Sequence, residues 1–366
     1  MKILITGGHL TPALAIIDEL KKTKPNIEII FVGRKYSLDS EKTLSLEYKE
    51  ITKRKILFIP FYAGRLTRVI NFQSIINFLK IPLGFISGFF VINQYRPDFV
   101  LSFGSYLALP IVFWSYIYKI PIFTHEQTIN PGLANRIIAQ FAKKIFVSFE
   151  KAKDHFKKRQ VILTGNPIRK SVFEIVKKPF NIKKDRPVIY ITGGSLGSHS
   201  INLHIKKILK SLLKKYIVIH QTGDTKQYHD YEDLLKIKEN LPIELKRNYF
   251  LVKHFFEDEI GYIYSISDLV IGRSGANTFF ELLYLKKPVI FIPLPWSAGK
   301  EQQYHAEIFA KAGCGEIFHQ IETSEKLLRL IDKMINNLSF YKKNFSNLQN
   351  LYHENAASFI IKEIFS

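Results

Sequence analysis

Short apolar segments rich in β-branched residues alternate with helical patterns along the whole chain. In the first half, the candidate strands are residues 2–6, 27–33, 55–60, 98–103, 120–125, 144–148 and 161–164. After the segment 164–187, with its prolines and lysines, the pattern restarts, with candidate strands at 188–194, 216–223, 249–255, 267–275 and 287–295. Strands that alternate with helices form parallel sheets covered by helices on both faces. The sequence therefore predicts an α/β protein with two doubly wound, Rossmann-like domains.

The length of 366 residues also indicates two domains, because single hydrophobic cores rarely grow beyond about 300 residues. We predict an N-terminal domain over residues 1–163 and a C-terminal domain over 164–341. The final helical stretch, 342–366, is expected to pack back on the N-terminal domain. Doubly wound sheets bind ligands outside the carboxyl ends of their strands, so we expect the two domains to face each other across a ligand-binding cleft.

The net charge of +21 narrows the classes of partner to nucleic acid, an anionic membrane surface or an acidic substrate. Nucleic acid is not expected, because the chain has no zinc-finger spacing, no RNP-type aromatic motif and no long Lys/Arg block. The single cysteine, Cys314, excludes an internal disulfide and a cysteine-based zinc site. Neither HExxH nor DxD is present, and no metal ion is expected.

Residues 64–90 (GRLTRVINFQSIINFLKIPLGFISGFF) combine a dense apolar pattern with the basic side chains of Arg65, Arg68 and Lys80. This pattern is typical of a helix that lies in a membrane interface, and a helix buried against its own sheet is the alternative. The most apolar part, 78–92, is shorter than the roughly 20 residues that a membrane span needs. We therefore expect no transmembrane helix here.

Two glycine-rich turns each follow a candidate strand and precede a helix. In ITGGSLGSHSIN (191–202), the glycines and hydroxyls stand at a helix N-terminus, where backbone N–H groups and the helix dipole favour a diphosphate. For ITGGHLTPALA (5–15), two interpretations remain equally open: the turn binds a phosphate-bearing ligand, or it contains glycine only because the strand-to-helix turn requires it. The turn at 191–202 has no GxGxxG fingerprint and no Walker lysine after it, which argues against a nicotinamide enzyme and an NTPase.

Further polar side chains follow other strands. In IGRSGANTFFEL (271–282), Glu281 lies in the second turn of a predicted helix, where a carboxylate commonly binds ribose hydroxyls. In SAGKEQQYHAE (297–307), two glutamines offer the donors and acceptors that sugar hydroxyls need, with an ordinary polar helix start as the alternative. The loops LSFGSYLALP (101–110) and THEQTINPGLANR (124–136) would form a polar floor together with His9.

In this order and spacing, GGHLTPALA, FGSY, HEQ, PGLANR, TGNPIR, GGSLG, RSGANTFFEL and KEQQYHA resemble the motifs of a family of GT-B glycosyltransferases. The members are the N-acetylglucosaminyltransferases of bacterial cell-wall synthesis, and the resemblance covers nearly the whole chain. It implies UDP-GlcNAc as the donor and an undecaprenyl-diphosphate-linked muramoyl-pentapeptide as the acceptor, with inversion at the anomeric carbon. It further implies no cofactor or metal, and peripheral binding to anionic inner-leaflet lipid at the cytoplasmic face of the plasma membrane.

The resemblance also implies roles for individual residues. The donor would be bound by Arg169, Gly194, Ser195, Gly197, Ser274, Gly275, Glu281, Gln302 and Gln303. The acceptor and its phosphates would be bound by Thr6, Gly7, Gly8, Ser105, Tyr106, Thr128 and Asn135. His9 or Glu126 is the candidate base that removes the proton of the acceptor hydroxyl.

The chain departs from the family pattern at two positions. The first glycine loop, TGGH, is shorter than the family's GGGTGGH, and Thr128 replaces the asparagine of HEQN. Donor binding is therefore better supported than the identity of the acceptor. Three alternatives stay open: a transferase with a different glycolipid acceptor, a UDP-GlcNAc 2-epimerase-like enzyme, and an inactive UDP-sugar-binding protein.

Overall fold

The computed structural model describes residues 1–36, 44–64, 72–156, 159–194, 196–223, 225 and 227–366. The chain divides into two compact units. Unit 1 comprises Met1–Arg169 together with His353–Ser366, and unit 2 comprises Lys170–Tyr352. Each unit contains one parallel sheet with helices, so the predicted two-domain α/β architecture is confirmed.

Unit 1 is built on a seven-stranded parallel sheet with the order β3-β2-β1-β4-β5-β6-β7. Its strands are β1 (Lys2–Thr6), β2 (Glu28–Gly33), β3 (Leu57–Pro60), β4 (Phe99–Ser102), β5 (Ile122–Glu126), β6 (Lys144–Val147) and β7 (Val161–Leu163). Its helices are α1 (Leu10–Thr23), α2 (Leu46–Lys53), α3 (Phe72–Tyr95), α4 (Ala108–Ile117) and α5 (Leu133–Ile138), with a 3-10 helix at Glu150–Phe156.

Unit 2 is built on a six-stranded parallel sheet with the order β10-β9-β8-β11-β12-β13. Its strands are β8 (Val188–Thr192), β9 (Ile217–Gln221), β10 (Tyr249–Val252), β11 (Leu269–Gly272), β12 (Val289–Phe291) and β13 (Gly315–Ile317). Its helices are α6 (His199–Lys215), α7 (Asp230–Glu239), α8 (Ile243–Lys246), α9 (Glu257–Ile266), α10 (Ala276–Tyr284), α11 (Glu301–Ala312), α12 (Ser324–Asn336) and α13 (Leu338–Lys343). Three 3-10 helices lie at Lys170–Val172, Ala298–Lys300 and Asn344–Leu351.

The strand order of both sheets determines where ligands can bind. In unit 1 the order reverses between β1 and β4, and in unit 2 it reverses between β8 and β11. At such a switch point the connections leave in opposite directions, which opens a crevice outside the carboxyl ends of the strands. The two glycine-rich turns follow β1 and β8, so each lies at the switch point of its own sheet.

The C-terminal helix α14 (Ala356–Phe365) completes unit 1. Ile360, Ile361 and Ile364 are buried in one hydrophobic cluster with residues of β1 and α1. The chain was predicted to return to the N-terminal domain at residue 342. It returns at His353, so this boundary is corrected. Residues 342–352 remain in unit 2, where the ring centroid of Phe345 lies 5.7 Å from the ring centroid of Phe309.

The predicted boundary at residue 163 is corrected as well, because unit 1 extends to Arg169. His125 Nε2 lies 3.1 Å from the carbonyl oxygen of Gly165, and this hydrogen bond ties the segment after β7 to β5. A Cβ on Gly165, whose φ is +74°, would lie 2.5 Å from Cβ of His353. The segment after β7 therefore passes directly beside His353, the residue at which the chain returns to unit 1.

Helix α3 (Phe72–Tyr95) is the apolar helix expected in the region 64–90, and Arg65 and Arg68 lie outside the described residues. One side of it packs on α4, where Gly88 closely approaches Pro110. The indole Nε1 of Trp114 donates a 2.7 Å hydrogen bond to the carbonyl oxygen of Phe85. On another side, three apolar side chains are more than half exposed, namely Leu83, Ile86 and Phe90. The described helices include none with the length and apolar content of a membrane span.

Candidate active site

The turn after β1 brings Thr6, Gly7, Gly8 and His9 to the switch point of unit 1. The backbone N–H of Gly7 donates to the carbonyl oxygen of Val32 at 2.7 Å. The N–H of Gly8 donates to Glu47 Oε1 at 3.2 Å. Both N–H groups predicted to bind an acceptor phosphate are therefore engaged within unit 1. Sequence analysis had not singled out Glu47, which belongs to no recognised motif.

The turn after β4 packs directly against this first turn. Gly8 has a φ of +148°, and a Cβ there would lie 2.9 Å from the carbonyl oxygen of Phe103. The Ser102 hydroxyl accepts hydrogen bonds from Thr6 Oγ1 and from the N–H of Gly104. Ser105 has a φ of +73°, a conformation that costs a non-glycine residue energy. The predicted acceptor residues Thr6, Gly8 and Ser105 are thus neighbours, and Tyr106 follows directly.

The loop after β5 is organised by the buried carboxylate of Glu126. Its Oε1 accepts hydrogen bonds from the N–H and from the hydroxyl of Thr128, both at 2.8 Å. Its Oε2 accepts a 2.6 Å bond from Asn135 Nδ2. Three predicted site residues, Glu126, Thr128 and Asn135, therefore form one hydrogen-bonded cluster. Both carboxylate oxygens have internal partners, which suits a structural and electrostatic role.

His125 is fully buried next to this cluster. Because the carbonyl oxygen of Gly165 can only accept, Nε2 of His125 carries the proton and Nδ1 accepts from Gln127 Nε2 at 3.1 Å. Burial lowers the pKa of His125 to about 4, so its ring is neutral at physiological pH. Among the described residues, Gln127 Oε1 and Asn135 Oδ1 are buried without a hydrogen-bond partner.

His9, the N-cap residue of α1, lies within electrostatic reach of Glu126. Burial lowers the pKa of His9 below its ordinary value, and the negative charge of Glu126 partly opposes this shift. A neutral imidazole can accept a proton at neutral pH, and the nearby carboxylate would stabilise the imidazolium that results. Of the two predicted base candidates, His9 therefore has the more suitable environment.

The turn after β8 lies at the switch point of unit 2 and opens α6. Gly194 and Gly197 have φ values of +85° and +83°. A Cβ on Gly197 would lie 1.9 Å from the carbonyl oxygen of Thr222, so only glycine fits there. Ser195, the predicted diphosphate ligand, lies outside the described residues.

Arg273 holds the N-terminus of α6, a role that sequence analysis missed. Its Nη2 donates to Ser198 Oγ at 2.7 Å, to Ser200 Oγ at 2.9 Å and to Gln320 Oε1 at 3.1 Å. Burial lowers the pKa of Arg273 to about 10, which leaves the guanidinium protonated at neutral pH. The first turn of α6 contains no acidic residue of its own, and Asp230 from α7 pairs with His199 at 2.7 Å. The helix dipole and the guanidinium of Arg273 place positive charge at this end of the helix. The sequence did offer one indication of this role, because Arg273 is a charged residue directly after the buried strand β11.

The turn after β11 places Ser274 and Gly275 at the start of α10. Ser274 Oγ donates a 2.6 Å hydrogen bond to the carbonyl oxygen of Gln302, which fixes α11 against this turn. Glu281 is buried in α10, and its Oε2 accepts a 2.9 Å bond from the Tyr264 hydroxyl. Four predicted donor residues therefore lie close to one another: Ser274 and Gly275 in the turn before α10, Glu281 within α10, and Gln302 in α11, which this turn contacts.

The two predicted sugar-binding glutamines begin α11 and are half-buried. Gln302 Oε1 accepts a 3.0 Å hydrogen bond from the N–H of Leu294, while its amide nitrogen makes no hydrogen bond to a described residue. Gln303 Nε2 donates to Glu307 Oε1 at 3.0 Å. Gln302 thus has an amide N–H donor for a sugar hydroxyl. Gln303 would first have to give up its hydrogen bond to Glu307.

The predicted residues form two sets, one in each unit. Arg169 is the last residue of the first segment of unit 1, and all other described donor residues belong to unit 2. Within the described ranges, no three His, Cys, Asp or Glu side chains are grouped so that they could hold a metal ion.

Sequence models of the two domains of a known enzyme family match this chain. The glycosyltransferase family 28 N-terminal domain matches residues 6–147, and the family's C-terminal domain matches residues 188–360. The chain belongs to glycosyltransferase family 28. It is therefore an enzyme of glycosyl transfer, as the motifs predicted.

Curated relatives of this family 28 enzyme cover nearly its full length. It is 32% identical over 351 residues, 93% of each chain, to a Bacillus thuringiensis protein named UDP-N-acetylglucosamine–N-acetylmuramyl-(pentapeptide) pyrophosphoryl-undecaprenol N-acetylglucosamine transferase 2. A Clostridium botulinum transferase of the same name, without the numeral, is 33% identical over 94% of each chain. The corresponding Treponema denticola protein is 34% identical over 85% of this chain and 81% of its own.

Solved structures share the fold. The crystal structure of MurG from Acinetobacter baumannii has a TM-score of 0.67 and 21% identity, and the match covers 100% of this chain and 99% of that one. UDP-GlcNAc 2-epimerase from Neisseria meningitidis, bound to UDP-GlcNAc, also has a TM-score of 0.67, with 17% identity and full coverage of both chains. The fold is therefore common to transferases and epimerases. The relatives identified by sequence similarity, all named as transferases, distinguish between the two activities.

Proposed function

We propose that this family 28 enzyme transfers GlcNAc from UDP-GlcNAc to undecaprenyl-diphosphate-muramoyl-pentapeptide, the step from lipid I to lipid II in peptidoglycan synthesis. The observation that carries the proposal is the similarity, at 32–34% identity over 85–94% of the chain, to relatives named for this transfer. The two switch-point sites support it, since one has the features of a nucleotide-sugar site and the other has a candidate base.

In the proposed donor site, the diphosphate of UDP-GlcNAc lies at the glycine turn that opens α6. The N-terminus of this helix and the cation of Arg273 stabilise the negative charge that develops on the departing UDP. These groups supply positive charge without a bound metal ion. Glu281 accepts hydrogen bonds from the ribose hydroxyls, and the amide of Gln302 donates to a GlcNAc hydroxyl. Arg169 and the turn at Ser274 and Gly275 complete this proposed set.

In the proposed chemical step, the acceptor hydroxyl oxygen attacks the anomeric carbon of GlcNAc from the face opposite the diphosphate. The new glycosidic C–O bond forms while the bond from the anomeric carbon to the diphosphate oxygen breaks, so the configuration inverts. The hydroxyl proton passes to the imidazole of His9, and UDP leaves with the bonding electron pair. Glu126 stabilises the imidazolium, and Ser105 and Tyr106 orient the acceptor.

Peripheral binding to anionic lipid, at the cytoplasmic face of the plasma membrane, is part of this proposal. Leu83, Ile86 and Phe90 recur at intervals of three and four residues in α3 and are exposed together. Lys80, one turn before them, is exposed as well. An apolar stripe beside a basic side chain favours insertion into a lipid interface.

The transfer is tested by measuring UDP release from UDP-GlcNAc, with and without lipid-linked muramoyl-pentapeptide in acidic vesicles. We expect UDP release that depends on the acceptor, with a lipid product heavier by one GlcNAc. UDP-GlcNAc binding without this turnover would contradict the proposed acceptor. Conversion of UDP-GlcNAc to its 2-epimer without any acceptor would instead assign the enzyme to the epimerases.

The lipid contact is tested by co-sedimentation with phosphatidylglycerol vesicles. The Leu83→Ser/Ile86→Ser/Phe90→Ser variant loses three apolar contacts, so we expect its vesicle affinity to fall about tenfold or more. The matched control is Ile243→Ser/Ile321→Ser, which changes two exposed apolar residues of unit 2. Equal losses in both variants would argue against a docking role for α3.

A further inference from the structure

Glu47 connects the turns that follow two neighbouring strands of unit 1. Its Oε1 accepts a 3.2 Å hydrogen bond from the N–H of Gly8, after β1. Its Oε2 accepts a 3.2 Å bond from the N–H of Arg34, after β2. One carboxylate therefore links two turns just beyond the last backbone hydrogen bond between β1 and β2, which runs from the N–H of Gly7 to the carbonyl oxygen of Val32.

Glycines make room for this carboxylate on both strands. A Cβ on Gly7 would lie 2.8 Å from Glu47 Oε1, and a Cβ on Gly33 would lie 2.9 Å from Oε2. Both distances are too short for real carbon–oxygen contacts. The small residues at these positions therefore serve the approach of Glu47, in addition to any ligand that the turn binds.

Gly8 is held from two directions. Glu47 binds its N–H, and the turn after β4 lies against its Cα, where a side chain would meet the carbonyl oxygens of Phe103 and Gly104 at 2.9 and 3.0 Å. The next residue is His9. The position of the His9 backbone therefore depends on the hydrogen bond that Glu47 makes.

We infer that Glu47 is a positioning residue that holds Gly8 and His9 in the geometry needed to deprotonate the acceptor hydroxyl, an inference that rests on the proposed function. Glu47 acts through the backbone of the turn and does not touch the reacting atoms. In the shortened glycine turn of this chain, the carboxylate supplies an acceptor for the Gly8 N–H. Burial raises the pKa of Glu47 above its ordinary value, against the effect of both backbone hydrogen bonds.

The first test is Glu47→Gln in the full-length chain, assayed for acceptor-dependent UDP release. A glutamine keeps one acceptor oxygen but turns an NH2 group toward the second backbone N–H, so one of the two turns is released. We expect kcat to fall about tenfold to a hundredfold, because small displacements of a catalytic group have effects of this size. The Kd of UDP-GlcNAc should stay within about twofold, since the donor site lies in unit 2.

Glu50→Gln is the matched control. Glu50 lies on the same helix, is more deeply buried, and pairs with Arg54 at 2.8 Å instead of with a glycine turn. We expect Glu50→Gln to lower Tm at least as much as Glu47→Gln while keeping the wild-type kcat. An unchanged kcat in Glu47→Gln, or equal losses of kcat in both variants, would overturn the inference.

A second readout does not require turnover. In protein labelled with 13C at histidine Cε1, the His9 signal is identified by its loss in His9→Asn. We expect this signal to shift in Glu47→Gln and to stay in place in Glu50→Gln. An unmoved His9 signal in Glu47→Gln would overturn the positioning role. If the wild-type enzyme instead shows no acceptor-dependent UDP release, the proposed function fails, while the His9 signal still decides the role of Glu47.

Discussion

The turns after β1 and β8 look alike in sequence and differ in electrostatic character. Each begins with Thr-Gly-Gly, follows a central strand and opens a long helix. In unit 1 the turn is held by the carboxylate of Glu47, and in unit 2 the start of the helix is held by the guanidinium of Arg273. The second turn therefore favours an anion far more than the first. Side chains distant in sequence determine what a glycine turn can bind.

The largest expected effect comes from removing the candidate base beside the first turn. His9→Asn leaves a side chain of similar size that cannot accept a proton at neutral pH, so we expect kcat to fall about 10²–10⁴-fold. The Kd of UDP-GlcNAc, measured by calorimetry, should not change. A His9→Asn enzyme with the wild-type kcat would remove His9 from the mechanism and leave the first turn with a structural role.

The second effect concerns the charge at the second turn. Arg273→Ala removes the cation beside the proposed diphosphate position, and we expect UDP binding to weaken by about 2 kcal/mol, roughly thirtyfold in Kd. The UDP affinity of Arg273→Lys should lie between those of the wild type and Arg273→Ala. One ammonium group does not replace the guanidinium that reaches Ser198, Ser200 and Gln320. Arg247→Ala, at an exposed arginine of unit 2, is the control. Equal UDP affinity in all three variants would show that the two turns do not differ in the way proposed.

A smaller effect is expected at the ribose. Glu281→Gln keeps the shape of the side chain but loses the charge, so hydrogen bonds from the ribose hydroxyls should weaken by about 1.5 kcal/mol, or about tenfold in Kd. An analogue of UDP-GlcNAc with deoxyribose in place of ribose tests the same contact. It should bind the wild-type and variant enzymes with similar affinity. If Glu281→Gln discriminates ribose from deoxyribose as well as the wild type does, the carboxylate has no role in ribose recognition.

The last effect concerns stability against acid. Burial lowers the pKa of His220 to about 3 and that of His305 to about 4, so both are neutral in folded unit 2. Unfolding lets them bind protons below about pH 6.5, and stability falls as pH drops from there toward 4, by at most about 1.4 kcal/mol per pH unit for each histidine. In His305→Asn, whose amide can replace the 2.9 Å bond from Nδ1 to Ser274, the decrease in Tm between pH 7 and 5 should be smaller. A decrease equal to that of the wild type would contradict this linkage.

The comparison also indicates how far sequence reasoning extends. Alternating strand and helix patterns predicted both sheets, because buried parallel strands consist of continuous apolar residues. Strand β13 was missed, since Gly315–Ile317 has only three residues and no apolar run. Glu47 could not be predicted as a partner of Gly8, because the two are separated by 39 residues and joined only by the fold. Arg273, within a recognised motif, could have been found from its charge alone.

The packing of α14 has a consequence for the order in which the protein forms during synthesis. Ile360, Ile361 and Ile364 belong to the hydrophobic core of unit 1, yet they are synthesised after the whole of unit 2. Unit 2 is continuous from Lys170 to Tyr352 and is complete before them. The nascent chain therefore carries an unfinished first unit while the second can already fold, and truncation within α14 leaves the cluster formed by β1 and α1 uncovered.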